Sequence, residues 1–260
     1  FPNHHPNPVD PKTLETMREI VLNNHLTCGL GFDGDGDRIG IIDSKGRQIP
    51  GDLLTAYLSL DVLKRHKNAD ILFDVKSSNF AMDLVREAGG NPLICKTGHS
   101  YMKDKIWETK APLAGEMSGH IFISDGYYGY DDAIYVAIRV LNLINEKFEK
   151  TGETISDFLD NLPEISSTPE CRIDCPEDIK FKIIDKIKKN LINGEKSLDI
   201  NTIDGIRVTT DDGWWLIRAS NTEAALVVRA EGINEENLQK QLFKLKTYLS
   251  DVGLDWEGPN

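Results

Sequence analysis

Short apolar runs alternate with longer segments of helical pattern through the first part of the chain. Asp10 and Pro11 make a cap and first-turn pair that predicts a helix running to about His25. Two short apolar strands follow, Cys28 to Phe32 and Ile39 to Ile42, with Ser44-Lys45-Gly46 as the next turn. From Gly51 the pattern reads helix (Asp52 to about Arg65), strand (Ile71 to Val75), helix (Phe80 to Ala88), strand (Pro92 to Lys96), helix (about Tyr101 to Thr109) and strand (Leu113 to Ala114). A long helix from about Asp132 to Lys150 closes this part. Such alternation predicts an α/β fold, with mixed α/β domains whose helices pack on largely parallel sheets.

The character changes at Gly152 to Pro169, where a short helix around Ile155 to Leu159, then Pro163 and a Ser-rich approach, read as a linker. Beyond it come a strand, a helix (Glu177 to about Asn190), three β-rich segments (Ile206 to Thr209, Trp214 to Ala219, Ala225 to Ala230) and a last helix from Glu235 to Ser250. That is a C-terminal α+β domain. The expected division is 1–50, read as half a domain, 51–152 as an α/β domain, and 165–260 as the α+β domain.

At 260 residues with 40% hydrophobic content, the chain is long enough for one large core or two ordinary ones. A net charge of −12 argues against a nucleic-acid partner, although a local basic pocket can still hold a phosphate in an acidic molecule. No apolar run reaches the length of a membrane span and nothing at the start resembles a signal peptide, so the expected setting is the cytoplasm, away from membranes. The four cysteines are too few and too scattered for a disulfide framework, and Cys171 and Cys175 lack the second Cys or His pair that a zinc site needs. The opening Phe1-Pro2-Asn3-His4-His5-Pro6-Asn7-Pro8 reads as the interior of a longer protein, which leads us to expect a further N-terminal part.

The densest chemistry is Asp33-Gly34-Asp35-Gly36-Asp37-Arg38, three carboxylates at alternate positions separated by glycine and followed by a guanidinium. In an extended segment alternate side chains point the same way, so Asp33, Asp35 and Asp37 are expected to converge on one cation. Hard oxygen ligands select Mg²⁺ or Ca²⁺. A calcium loop of the EF-hand type is excluded, because its sixth position requires Gly and here holds Arg38, while its twelfth requires Glu and here holds Ser44. Arg38 adds a fork that matches phosphate oxygens, so the loop points to phosphate chemistry.

Three other segments carry candidate groups. Gly115-Glu116-Met117-Ser118-Gly119-His120 packs an acid, a hydroxyl and an imidazole between glycines, which suits sugar hydroxyls and is also compatible with a plain polar turn. Lys76, after Asp74, and His99, within Lys96-Thr97-Gly98-His99-Ser100, lie at strand ends, where α/β sheets place ligand groups; the alternative is that His99 or Ser100 caps a helix. Arg218-Ala219-Ser220-Asn221-Thr222 offers a guanidinium, two hydroxyls, an amide and backbone N–H groups in one turn, either a phosphate cradle or an ordinary polar turn.

Taken in order along the chain, the opening Phe1 to Pro8, the acidic loop Asp33 to Arg38, Gly115 to His120 and Arg218 to Thr222 resemble the α-D-phosphohexomutase family, in its bacterial phosphomannomutase/phosphoglucomutase branch. Met117 within the sugar loop and Gly36 in the metal loop agree with that branch rather than the glucosamine one; Ala224 departs from the proline often found after the phosphate loop. The resemblance implies an isomerase that acts by intramolecular phosphotransfer, moving phosphate between O1 and O6 of mannose or glucose. It implies Mg²⁺ on Asp33, Asp35 and Asp37, with Arg38 and His120 catalytic. Glu116 and Ser118 would hold sugar hydroxyls, Lys76 and His99 the ring or a phosphate, and Arg218, Ser220, Asn221 and Thr222 the non-reacting phosphate.

The same resemblance implies glucose 1,6-bisphosphate or mannose 1,6-bisphosphate as intermediate and activator, and a phosphoserine in a Thr-Ala-Ser-His-Asn-Pro-like segment of an N-terminal domain. It makes 1–50 the C-terminal part of the metal-binding second domain, 51–152 the sugar-binding domain and 165–260 the phosphate-binding domain. No such serine segment occurs in these residues, so the expected partner besides the phosphosugar is that N-terminal domain, without which the 260-residue chain is expected to be inactive. The alternative reading is a non-catalytic phosphosugar-binding or sensor protein.

Overall fold

The computed structural model describes residues 1–194 and 199–259, so part of the expected 165–260 domain lies outside the described residues. The chain falls into two compact units, Phe1–Leu162 and Pro163–Asn260.

Asp10 accepts a hydrogen bond from the Lys12 amide and starts a 3-10 turn at Pro11–Leu14, which passes into helix α1 (Glu15–Asn23). The helix stops two residues before the expected His25, which lies at φ 51° and turns the chain toward the first strand. Strands β1 (Cys28–Phe32), β2 (Ile39–Asp43) and β3 (Gln48–Ile49) form an antiparallel sheet in that order, and the acidic loop is the connection between β1 and β2.

Helix α2 (Gly51–Arg65) is buried along most of its length, as a helix apolar on several faces must be. Then come β4 (Asp70–Asp74), α3 (Asn79–Glu87), β5 (Asn91–Cys95), α4 (His99–Thr109), β6 (Leu113–Gly115) and β7 (Ile121–Ile123). The sheet order is β5-β4-β6-β7, with β4 parallel to β5 and β6 and only the β6–β7 edge antiparallel. Largely parallel strands thus characterise this sheet, whereas the one carrying the acidic loop is antiparallel because tight turns join its strands.

The pleat divides the sheet's residues cleanly. Ile71, Phe73, Leu113, Ile121 and Ile123 join a core with α2, α3, α5 (Ala133–Thr151) and the β2 residues Ile39 and Ile41. Leu72, Ala114 and Phe122 face the other way onto Met102 and Ile106 of α4. Asp52 at the start of α2, only 1% exposed, accepts the Ser78 amide at 2.7 Å and ties that helix to the loop after β4. Helix α6 (Ile155–Asp160) completes the unit.

The second unit is an antiparallel sheet: β8 (Ser166–Ser167), β9 (Cys171–Asp174), β10 (Asp199–Asn201), β11 (Ile206–Thr210), β12 (Gly213–Ala219) and β13 (Ala225–Gly232), ordered β10-β11-β12-β13-β8 with β9 also on β13. Helices α7 (Lys180–Gly194) and α8 (Glu235–Ser250) supply its core through Ile184, Ile187, Leu191, Leu238, Leu242 and Leu245, against Trp215, Ile217 and Val228. Among the described residues no helix is long and apolar enough to cross a membrane.

Candidate active site

The acidic loop is a curl, not the extended segment the alternation suggests. Asp33 Oδ1 accepts the amides of Gly36, Asp37 and Arg38, each at 3.1 Å, and Gly36 takes φ 75° to allow the bend. The six residues close a hairpin between Phe32 and Ile39, so the loop curls about Asp33 instead of following a strand pleat. The expected convergence survives by this different route: each of Asp33, Asp35 and Asp37 offers an oxygen within 4.8 Å of the others.

Arg38 is pinned beside them, its Nε donating to Asp33 Oδ2 at 2.7 Å and its Nη1 to Asn7 Oδ1 at 3.1 Å. Burial opposes the charge on Asp33, but its bonds from Arg38 hold the carboxyl below the ordinary range. Burial, then the carboxylates of Asp33 and Asp35, push Asp37 upward, with His120 opposing. Two acids driven apart in this way leave a deficit of positive charge, and an all-oxygen donor set fits a hard divalent cation.

Next to this loop runs the segment Gly115 to His120. The Ile39 amide donates to the Gly119 carbonyl at 3.1 Å, and Arg38 and His120 form an antiparallel bridge. Gly119 sits at φ 92°, and a Cβ there would lie 2.6 Å from the Ile39 carbonyl oxygen, so only glycine permits this approach. Glu116, 2% exposed, receives the Gly98 amide on Oε1 at 2.8 Å and the Ser118 hydroxyl on Oε2 at 2.9 Å. Its carboxyl is raised, first by burial and then by Asp74.

The C-terminal ends of the parallel strands complete the cluster. Asp74 accepts the Ser77 hydroxyl at 2.6 Å, the Thr97 hydroxyl at 3.3 Å and the Met117 amide at 3.3 Å, and its Oδ2 lies 3.7 Å from Lys76 Nζ. Lys76 is therefore buried beside the acid and not extended into solvent. Gly98, at φ 128°, is the N-cap of α4, so neither His99 nor Ser100 caps the helix. The exposed His99 ring lies 6.2 Å from that of His120.

Sequence reasoning missed Asp131 and Lys103. Asp131 Oδ2 stands 3.1 Å from His120 Nδ1 and its Oδ1 2.7 Å from Lys103 Nζ, with the carboxylate 6% exposed. Burial opposes charge on both His120 and Asp131. It is outweighed in each case: Asp131, Glu116 and Asp37 raise the imidazole, and His120 and Lys103 hold Asp131 well below the carboxylate range. The available signal was the doublet Asp131-Asp132. Asp132 caps α5 by accepting the Tyr135 amide at 2.9 Å, and one cap needs one acid.

In the second unit, Arg218 to Thr222 follow β12. Arg218 is 5% exposed, its Nε bonded to Asp204 at 3.0 Å, with Nη2 buried and without a partner among the described residues. Ser220 is buried and its hydroxyl accepts the Thr222 and Glu223 amides at 3.4 and 3.2 Å, while Asn221 and Thr222 are exposed. A guanidinium nitrogen without a partner among the described residues, beside a turn of exposed polar residues, suits an anion.

The chain is similar to known proteins along most of its length. Family models match in three consecutive stretches: phosphoglucomutase/phosphomannomutase alpha/beta/alpha domain II over residues 1–46, alpha/beta/alpha domain III over 50–165, and the C-terminal domain over 170–243. A phosphomannomutase/phosphoglucomutase of Pseudomonas putida is 43% identical over 97% of the chain and 53% of its own length, and one from Pseudomonas aeruginosa is 42% identical over 92% and 50%. The crystal structure of a phosphoglucomutase/phosphomannomutase family protein from Burkholderia thailandensis superposes with a TM-score of 0.87 at 37% identity, covering 100% of this chain and 53% of that one. The chain spans about half the length of the curated relatives it matches.

Proposed function

Because the chain belongs to the phosphoglucomutase/phosphomannomutase family, the α-D-phosphohexomutases, we propose that it forms the metal-, sugar- and phosphate-binding part of an isomerase interconverting hexose 1-phosphates and hexose 6-phosphates, with glucose and mannose as the sugars. One observation supports this reading most: the backbone pairing of Arg38 and Ile39 with Gly119 and His120, which joins the segment bearing Asp33, Asp35 and Asp37 to the one bearing Glu116.

In this reading Asp33, Asp35 and Asp37 hold Mg²⁺, which when bound supplies positive charge to the phosphoryl group in transfer. Arg38 donates charge-assisted hydrogen bonds to the same oxygens. His120, oriented by Asp131, takes the proton of the attacking sugar hydroxyl and returns it to the leaving oxygen. Ser118 and Glu116 bind ring hydroxyls, Lys76 and His99 contact the ring or a phosphate, and Arg218, Ser220, Asn221 and Thr222 retain the phosphate that is not transferred. The sugar passes through a 1,6-bisphosphate and turns around, so each phosphate occupies each place once. The phosphoryl donor is a phosphoserine carried by a further domain. The domain roles are metal binding for 1–50, sugar binding for 51–152 and phosphate binding for 165–260. The cytoplasm is the setting, supported by the sugar-phosphate substrate class and by free thiols at Cys28, Cys95, Cys171 and Cys175.

A coupled mutase assay primed with glucose 1,6-bisphosphate tests this. The chain combined with a phosphoserine-bearing domain of a Pseudomonas relative is expected to convert glucose 1-phosphate to glucose 6-phosphate, and the chain alone is not. Sustained turnover by the chain alone, absent from a parallel Asp35→Asn preparation, contradicts the place given to the donor. Binding without turnover in the mixture favours a sensor.

A further inference from the structure

Behind the turn at 218–222 lies a lysine that no sequence motif marks. Lys180 begins α7, and its spacing to Ile184, Ile187 and Leu191 puts it on the stripe of the helix that faces the core. Its side chain is 1% exposed. The ammonium donates to the Ser220 carbonyl at 2.6 Å and to the Glu223 carbonyl at 3.0 Å, and lies 2.7 Å from Glu177 Oε1. Three partners match its three donors. A buried ammonium is costly to desolvate, so a site that retains one on two loop carbonyls gives it something to do there.

The consequence lies in the geometry of the peptide unit. Every peptide bond among the described residues is trans, and in a planar trans unit the N–H points opposite to the C=O. Drawing the carbonyls of Ser220 and Glu223 inward to Lys180 therefore turns the amides of Asn221 and Ala224 outward, on residues that are both exposed. The amides between them, of Thr222 and Glu223, donate instead to the Ser220 hydroxyl. We propose that Lys180 is a positioning residue of the phosphate loop, fixing two peptide units so that the Asn221 and Ala224 amides face a bound phosphate beside Arg218. The proposal rests on the reading of 218–222 as a phosphate-binding loop.

The test is a titration of the ¹⁵N-labelled 260-residue chain with glucose 1-phosphate and with inorganic phosphate. In the unmodified chain the Asn221 and Ala224 amides should shift more than those of Thr222 and Glu223; the reverse order overturns the proposal without need of a variant. Lys180→Met should weaken glucose 1-phosphate at least tenfold at a temperature where circular dichroism shows it folded, and Lys180→Arg should recover part of the loss. Lowered thermal stability with unchanged affinity would make Lys180 merely structural and overturn it. Arg218→Ala separates the two claims: if it leaves affinity unchanged, the loop assignment itself fails, whereas if it weakens binding and Lys180→Met does not, only the role of Lys180 fails.

Discussion

The amide of Ile39 donates to the carbonyl of Gly119 at 3.1 Å, joining the residue after the acidic loop to the residue before His120. Two segments eighty residues apart in sequence are thereby joined through their backbones, with Arg38 paired to His120. Groups held in this way need little reorganisation during a reaction.

Gly119→Ala should break this pairing. Its φ of 92° disfavours any Cβ, and the contact it would make at 2.6 Å is with backbone, which cannot swing aside. The positive φ alone is worth about 1–3 kcal/mol. Urea unfolding should show a loss of at least that size, and hydrogen exchange should show faster exchange at the Ile39 amide; unchanged protection there would mean that the pairing does not depend on Gly119.

Apart from the two-residue β3, the helices and strands of the first unit were legible from hydrophobic period because each side of the β5-β4-β6-β7 sheet is covered and its apolar residues alternate accordingly. The curl at Asp33 was not, since it depends on one carboxylate accepting three amides, a local bond pattern that alternation does not encode. Lys76 illustrates the same limit: its place after a strand was readable, but its burial against Asp74 follows from tertiary packing. Asp131 and Lys180 went unread because each looks ordinary in sequence, one as half of a helix cap and the other as one lysine among many in α7.

Asp35→Asn should weaken divalent-ion binding at least tenfold while leaving the fold intact, because Asp35 is exposed and, among the described residues, makes no structural bond of the kind Asp33 makes. Titration of Mn²⁺ followed by electron paramagnetic resonance measures this directly. Equal affinity in the variant would remove Asp35 from the ligand set.

Acid stability should be governed in part by Asp125. Burial opposes its charge, but Arg65, His66 and Arg139 bond it at 2.5, 2.8 and 2.8 Å and hold the carboxyl well below its ordinary value. A depressed native pKa means that the stabilisation is present above the unfolded value near 4 and is lost as pH falls toward the native one. Asp125→Asn should cost about 1–2 kcal/mol at pH 7, the partners being partly exposed, and should flatten the decline of the urea midpoint between pH 5 and 3. An equally steep decline in the variant would assign the acid sensitivity elsewhere.

Sugar preference follows from the hydroxyls that Glu116 and Ser118 are assigned to bind. Glucose and mannose 1-phosphates differ only at C2, for which no dedicated contact is assigned, so their dissociation constants should agree within about tenfold. Calorimetry on the two ligands decides this, and a difference of more than about tenfold would mean that a residue of the chain reads C2.

The proposed function is tested most directly at the turn at Arg218, the phosphate site proposed within the second unit. The most direct measurement is calorimetric titration of the 260-residue chain with glucose 1-phosphate and glucose 6-phosphate, repeated on Arg218→Ala. The account predicts that both ligands bind and that the substitution weakens both by about 1.5–3 kcal/mol, roughly ten- to a hundredfold, the worth of a charge-assisted hydrogen bond. Binding of neither ligand, or affinities for both that Arg218→Ala leaves unchanged, would contradict it.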